Sequence, residues 1–495
     1  MRTATRAVPT FFIRIRNMKD SIGYLSDTED TIAAISTPFG ESGIGIVRIS
    51  GKKAISIADK IFKGEIVLSK AESHKANYGK IISPDSKQVI DEVYLTIFKA
   101  PKSYTKEDLV EISCHGSPYI LYRVLEEIIS CGARLANPGE FTLRAFLNGR
   151  IDLAQAEAVA EIIKAKTDLS LKHSLKHLQG ELSERLNLIR EELISILAEL
   201  EARIDFPDEE IEDLDRSFVL EKIEKIESEI KSLIDTYEEG KILREGLRVV
   251  IVGKTNVGKS SLLNAFLKEE RAIVTPIPGT TRDVISEYTN FKGLPVRLTD
   301  TAGFRVSKDK IEIEGIKKTK IEINKADFIL FVLDAETGIT KEDKDLEKEL
   351  ADFSYLIAIN KVDLVPVEKV KEIEKKLSEG LEQKEISKKI HNISALKSWG
   401  IEELKDKIAS DVFFSKKGLD QSALGGLISS LRHKEALTKA VQSLSLAKES
   451  LLKNMSFEFV CPDLRVALDA IGEIVGKVVT EDILNKIFSG FCVGK

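Results

Sequence analysis

Leu247-Arg-Val-Val-Ile-Val-Gly-Lys-Thr-Asn-Val-Gly-Lys-Ser260 decides how this chain is read: an apolar run passes straight into GKTNVGKS, which fits G-x-x-x-x-G-K-[ST]. The run reads as a strand, and a helix is expected to begin at Lys259. Gly253 and Gly258 let backbone N–H groups wrap a polyphosphate, Lys259 reaches its β and γ phosphates, and the Ser260 hydroxyl can ligate Mg²⁺. Alone, the loop indicates a nucleotide and no more.

Four boxes follow in order: Pro278-Gly-Thr-Thr-Arg-Asp283, then Asp300-Thr-Ala-Gly303 after an apolar strand at 296–299, then Asn360-Lys-Val-Asp363 after a strand at 355–359, and Ser394-Ala-Leu396. That order matches a guanine-nucleotide domain on a doubly wound sheet, where ligands sit beyond the carboxyl ends of strands. Asp363 discriminates the base. Its carboxylate can accept from N1 and N2 of guanine, donors that adenine does not offer, so ATP would leave polar groups unpaired. Asp300 would hold Mg²⁺, directly or through water, and the Gly303 amide would meet the γ-phosphate. The candidate nucleotide contacts in these boxes are Asn256, Val257, Gly258, Lys259, Ser260 and Ser261, then Pro278, Gly279, Thr280 and Thr281. Asp300, Thr301, Ala302, Gly303, Asn360, Lys361, Asp363, Ser394 and Ala395 complete them.

An absence is equally informative. Phe304 follows Gly303, where Ras-type enzymes carry the glutamine that orients the attacking water. The candidates for its work are Glu312 or Glu314 as water-orienting carboxylates, Arg305 as a charge on the leaving phosphates, and Asn256 as a holder of a monovalent cation. Surface salt-bridge residues and a loop-capping asparagine are the plainer readings of the same positions.

The nucleotide domain, 246–410, takes about a third of the 495 residues, and length suggests about three domains in all. A net charge of −6 with 31% charged residues gives no broad basic face, so any RNA contact is local or shared with another protein. Cys114, Cys131, Cys461 and Cys492 show no metal spacing and are expected to be reduced thiols in a cytoplasmic setting. No apolar run approaches 18 residues, so no membrane association is expected. Residues 1–29 read as an N-terminal extension. Arg2, Arg6, Arg14 and Arg16 without an acidic residue give its start a transit-like look, but an upstream start codon chosen in error, with Met18 as the alternative, or a disordered tail is the plainer account.

Residues 30–148 alternate short strands, such as 43–49 and 91–98, with a helix at 118–131, an α+β pattern. From 149 to 245 the pattern is helical, with Leu182, Leu186, Ile189, Leu193 and Leu197 at three and four spacing and a break at Asp205-Phe-Pro-Asp208. Helical spacing resumes after 420, through Leu427, Leu431, Leu437 and Val441, and continues to the end, so residues 411–495 are taken as the second part of the helical domain. The fold class expected is therefore multidomain α/β plus α, with a Ras-like P-loop domain on a doubly wound sheet inserted within a helical domain.

Beyond the boxes, several stretches carry a resemblance: Asp30-Thr-Ile-Ala-Ala-Ile35, Gly43-Ile-Gly-Ile-Val-Arg48, Pro138-Gly-Glu-Phe141, Ala145-Phe-Leu-Asn148, Asp152-Leu-Ala-Gln-Ala-Glu157, Ile204-Asp-Phe-Pro-Asp-Glu-Glu210 and Phe491-Cys-Val-Gly-Lys495. The last fits a lipidation box poorly, because Gly494 and Lys495 stand where one needs other residues. From about Asp30 to Lys495 the chain resembles the MnmE (TrmE) family of tRNA-modification GTPases. The resemblance implies a homodimer joined through 30–148, a domain similar to folate-binding domains that takes a one-carbon tetrahydrofolate. It further implies that, with a flavin-dependent MnmG (GidA) partner that carries the FAD, in a heterotetramer or larger complex, an aminomethyl or carboxymethylaminomethyl group is installed at carbon 5 of the wobble uridine (position 34) of certain tRNAs. Carried over, the folate site is Arg48, Glu111, Arg150 and Lys495, with Cys492 required for modification. Arg150 departs from relatives with lysine there but keeps the charge for the folate carboxylates. In the nucleotide domain the resemblance implies K⁺ held by Asn256, Thr275, Ile277 and Thr280, with Pro276 in the same nucleotide-contacting segment. It implies Mg²⁺ at Ser260 and Thr281, and Glu312 as the catalytic, water-orienting glutamate. Phe304 and Val306 depart from the family pattern, so packing after Gly303 is expected to differ while the chemistry stays. Two other readings remain open: a ribosome-assembly GTPase sharing Pro278-Gly-Thr-Thr-Arg-Asp283, and a folate-dependent transferase with an ancillary GTPase.

Overall fold

The computed structural model describes residues 30–205, 216–269, 287–300, 321–378, 389–414 and 421–495, without the side chains of 269, 300, 414 and 421–423. Two compact units divide the chain: one runs to Ala160 and takes back Gly472–Lys495, and the other is Glu161–Ile471.

The first unit is built on a 7-stranded sheet: β1 (Ile32–Ile35), β2 (Ser42–Ser50), β3 (Phe62–Gly64), β4 (Ala76–Ile82), β5 (Val89–Phe98), β6 (Leu109–Gly116) and β7 (Arg134–Leu135), in the order β3-β4-β5-β6-β2-β1-β7. Alternation in β5 turns Val93, Leu95 and Ile97 inward, and helices Ala54–Ile61 and Pro118–Ser130 cover that face with Ile57, Ile61, Val124 and Ile128. The strands and helix expected at 43–49, 91–98 and 118–131 are thus present within a residue or two. A second small core joins Leu143, Leu153 and Ala156 to Leu484 and Phe488 of the last helix, Glu481–Phe488. That apolar contact is why the chain's end groups with this unit, where the sequence reading carried 411–495 as one helical piece.

A charge cluster pins the edge of the same sheet. Buried Glu140 accepts from Arg134 at 2.6 and 2.8 Å, from Arg144 at 3.0 Å and from the Asn137 N–H at 2.8 Å, and both arginines also bond Asp30. Burial alone would raise the Glu140 carboxyl, but these donors, led by Arg134, hold it below the usual carboxylate range. Its folded-state pKa is therefore lower than its unfolded one. The stability it contributes is present above the unfolded value, roughly pH 4, and is lost as pH falls through the folded value. The protection of β1 amides from hydrogen exchange, relative to the intrinsic rate at each pH, is expected to fall on acidification through that window, and to fall less in Glu140→Gln, whose protection is already low near neutrality.

The second unit carries the nucleotide-type sheet: β8 (Leu247–Val252), β9 (Glu287–Phe291), β10 (Leu294–Asp300), β11 (Phe328–Asp334), β12 (Tyr355–Asn360) and β13 (Ile390–Asn392), ordered β13-β12-β11-β8-β10-β9. All neighbours run parallel except β9, the antiparallel edge. Apolar side chains fill both faces. Val249 and Ile251 meet Leu262, Phe266, Leu404 and Ile408 on one side, and Val250 and Val252 meet Leu350 and Ile373 on the other. The first of these cores continues into the helical part through Leu243, Leu424 and Leu427.

The helical part comprises Asp168–Gln179, Glu181–Asp205, Arg216–Ile234, Leu431–Leu452 and most of Phe457–Val475. Leu182, Leu186, Ile189, Leu193 and Leu197 are all buried, as their spacing requires, and the expected break at 205–208 lies, beyond Asp205, outside the described residues. Downstream the reading needs correction: the helix starts only at Leu431, which is exposed, while Leu427 is buried in the irregular segment before it. No described helix is long and apolar enough to cross a membrane.

Candidate functional site

Gly253 and Gly258 follow the central strand β8 with φ of 152° and 98°, and Asn256 between them sits at φ 65°. A Cβ on Gly258 would collide with the Asn360 amide, so the loop can lie against β12 only because that position is glycine. The helix starts at Lys259, as expected, and runs to Glu269. Its N-terminal N–H groups and the loop form a ready anion cradle. Lys259 is 7% exposed, and its Nζ donates to the Gly253 carbonyl at 2.7 Å, which bends the side chain back over the loop.

The base side of the site hangs on Asn360. Its Nδ2 donates to the Val257 carbonyl at 2.8 Å and its Oδ1 accepts from the Ala395 N–H at 2.9 Å, so one buried side chain ties the phosphate loop to the Ser394–Ala395 turn. Lys361 takes a left-handed φ of 65° and bonds buried Asp334 at 2.6 Å. That turn leads into Val362–Leu364, which presents Asp363 half-buried. Asn256, Val257, Gly258, Lys259, Ser260, Ser261, Asn360, Lys361, Asp363, Ser394 and Ala395 are therefore brought to the carboxyl edge of one sheet. Asp300 ends β10 on that edge. Thr275, Pro276, Ile277, Pro278, Gly279, Thr280, Thr281, Thr301, Ala302, Gly303 and Glu312 lie outside the described residues. Asp334 escaped the sequence reading, although an aspartate closing an apolar strand was a visible signal.

In the first unit, Arg48 on β2 stands opposite Glu111 on β6 and donates to its Oε1 through Nε at 2.9 Å and Nη2 at 2.7 Å. Its remaining terminal nitrogen donates to the Gly494 carbonyl at 3.2 Å, and the Ser36 hydroxyl reaches the same carbonyl at 3.1 Å. Gly494, at φ 94°, lies so close to the Ile35 carbonyl that a side chain there would not fit. The Cys492 carbonyl accepts from the Gly139 N–H at 3.4 Å, and the Cys492 thiol is exposed. Burial pushes the Lys495 ammonium down from its usual range, and Arg48 adds to this while Glu111 and Cys492 oppose it. Arg150 donates to the Tyr104 carbonyl at 2.9 Å and stacks 4.8 Å from that ring. Arg48 lies 5.7 Å from the same ring and 5.6 Å from Phe141. Two guanidiniums beside a half-buried aromatic, with the Lys495 ammonium near Arg48, can receive an anionic, planar ligand. Tyr104 and Phe141 were not singled out as site residues, because nothing in their spacing marks them.

A parallel sheet with a phosphate loop after its central strand and an Asn-Lys-x-Asp turn beside it defines a P-loop GTPase. Among known proteins, the MnmE helical domain matches residues 153–492 and the N-terminal region of GTP-binding protein TrmE matches 31–150. The tRNA modification GTPase MnmE of Carboxydothermus hydrogenoformans is 47% identical over 94% of this chain and all of its own length. That of Clostridioides difficile is 48% identical over 94% of this chain and 99% of its own. Among solved structures, Aquifex aeolicus Era bound to GDP·AlF4⁻ shares 27% identity over 40% of this chain and 67% of that one, with a TM-score of 0.28, a likeness that carries no argument. The chain belongs to the MnmE (TrmE) family of tRNA modification GTPases, and it is a GTP-hydrolysing enzyme that works with Mg²⁺.

Proposed function

We propose that this protein couples GTP hydrolysis to modification of tRNA at carbon 5 of the wobble uridine, acting in the cytoplasm as a homodimer with a flavin-dependent MnmG-type partner and a one-carbon tetrahydrofolate. The observation that carries this reading is the meeting of Arg48, Glu111 and the Gly494 carbonyl, with Lys495, Cys492 and Arg150 close by in sequence or space. The cationic groups suit the folate carboxylates, and Tyr104 offers an apolar face to the pterin or aryl portion. A catalytic GTPase alone has no use for such a cluster of cationic groups. Hydrolysis serves as regulation, resetting the arrangement that organises the folate, tRNA and partner sites, and supplies no carbon chemistry.

Nucleoside mass spectrometry of tRNA from a strain lacking the protein tests the reading. Loss of an aminomethyl-type wobble uridine, restored by the wild type and not by Cys492→Ser, supports it. Unchanged wobble nucleosides would direct the search to ribosome assembly instead.

In the nucleotide site, Asn256, Thr275, Ile277 and Thr280 would hold K⁺, Ser260 and Thr281 would hold Mg²⁺, and Glu312 would orient water. K⁺ brings positive charge to the developing charge between β and γ phosphates, the task of an arginine finger elsewhere. GTP turnover is expected to fall about ten-fold or more when Na⁺ replaces K⁺ at matched ionic strength, and about 100-fold in Glu312→Ala. Equal rates in the two salts would remove the cation, and an unimpaired variant would remove the glutamate.

A further inference from the structure

Outside both sites, the second unit gathers three groups that the proposed chemistry does not use. Glu161, in helix Leu153–Lys164, and His173 and His177, on helix Asp168–Gln179, each offer one ligand-type atom, and the three atoms lie within 4.8 Å of one another. The four-residue spacing puts both imidazoles on one helix face, with ring centroids 4.2 Å apart. Each ring is anchored through one nitrogen: His173 Nδ1 is 2.8 Å from the Leu424 carbonyl and His177 Nε2 is 2.8 Å from the Leu427 carbonyl. A carbonyl only accepts, so those nitrogens carry ring protons, which in a neutral ring leaves the lone pair on the other nitrogen. Proteins fix the tautomer and orientation of metal-binding histidines through this kind of backbone bond.

The unsatisfied atoms point the same way. His173 is 1% exposed, yet its Nε2 has no hydrogen-bond partner. The Glu161 side chain is 10% exposed. Its Oε1 accepts from the Ser429 hydroxyl at 3.0 Å and lies 3.5 Å from Arg244 Nε, while its Oε2 is buried without a partner. Two acceptors thus converge in a buried place with no donor between them, an arrangement that is costly when left as it is. A cation relieves it without a proton.

We propose that Glu161, His173 and His177 bind a divalent transition-metal ion, with zinc as the ion to test. Two imidazoles and one carboxylate suit Zn²⁺, Co²⁺ or Ni²⁺ better than Mg²⁺ or Ca²⁺, and a three-residue set leaves a fourth position for water. The ion would fasten Glu161 to helix Asp168–Gln179 and, through the histidine anchors, to the segment carrying Leu424 and Leu427. Both leucines belong to the core under the nucleotide sheet, so the metal would brace the seam between helical and nucleotide parts of this unit.

The test uses the full chain, stripped with EDTA, kept free of nucleotide and dialysed against buffered Zn²⁺. Elemental analysis is expected to find about one zinc retained per chain, the unfolding midpoint to rise on loading, and the Co²⁺-loaded protein to show visible absorption of a low-coordinate site. His173→Gln and Glu161→Gln are each expected to weaken zinc binding about ten-fold or more, while His74→Gln, in the other unit, leaves it unchanged. Should His173→Gln fold poorly, Glu161→Gln decides, because it keeps the shape of the side chain and an oxygen for Ser429. Absence of retained zinc, or equal retention by wild type and Glu161→Gln, would overturn the proposal and leave a stacked histidine pair anchored on two carbonyls.

Discussion

Lys259→Ala is expected to lower GTP turnover about 1,000-fold, with a smaller loss of GDP affinity. The side chain is almost wholly buried in the loop, and its ammonium is held by the Gly253 carbonyl 2.7 Å away, so its charge is already positioned before any phosphate arrives. Charge that needs no rearrangement at the moment of reaction counts most where negative charge develops, on the β and γ phosphates. GDP offers only part of that charge. Turnover at saturating Mg²⁺, measured beside GDP binding, separates the two effects. Equal losses in both would mean that the lysine holds the nucleotide without favouring the transition state. Lys259→Arg is not expected to rescue the rate, because the planar guanidinium lacks room in a loop pressed against Asn360.

Asp363→Asn should exchange one base for another. Its carboxylate would accept from N1 and N2 of guanine, and an amide in its place turns a donor toward the guanine amino group. Affinity for GTP is expected to fall about 1,000-fold. Xanthosine triphosphate, with a carbonyl where guanine has that amino group, should bind and be hydrolysed in its stead. Competition between the two nucleotides in a single hydrolysis assay gives the ratio directly. An unchanged preference would mean that Asp363 does not read the base and that the left-handed turn at Lys361 presents another group to it.

Those two residues were legible in sequence because the nucleotide domain writes its chemistry in short contiguous boxes next to strands. Leu247–Val252 and the helix beginning at Lys259 needed only apolar periodicity and two glycines. What stayed hidden depends on segments far apart in the chain. β7, Arg134–Leu135, is too short to leave any alternation, yet it pairs in parallel with β1 and closes one edge of the sheet. The attachment of Glu481–Phe488 to Leu143 and Leu153 is a match of two apolar faces, and periodicity reports a face without naming its partner. Leu431 continued a helical count but lies exposed at the very start of its helix, so the count ran across an irregular segment. That Arg48 belongs near the end of the chain was reached by resemblance alone, and its contact with the Gly494 carbonyl was not foreseen, since neither residue type nor spacing foretells a partner 446 positions away. His173 and His177 drew no attention for a simpler reason. Two histidines one turn apart look like ordinary core residues until the carboxylate from another helix is seen beside them.

The distance in sequence between Arg48 and Gly494 also sets an order of events during synthesis. The GTP-hydrolysing sheet of β8 to β13 is complete once Asn392 has been made, whereas the first unit, begun much earlier, must wait for Gly494 to bring its carbonyl to a guanidinium already in place. Closing so long a loop is entropically slow, and the enclosed second unit shortens it by folding first. A polypeptide broken off after residue 471 would therefore retain the phosphate loop and the guanine turn while lacking the carbonyl on which Arg48 closes. Under the function proposed above, such a fragment would hydrolyse GTP while lacking the Arg48–Gly494 contact that hydrolysis is proposed to serve.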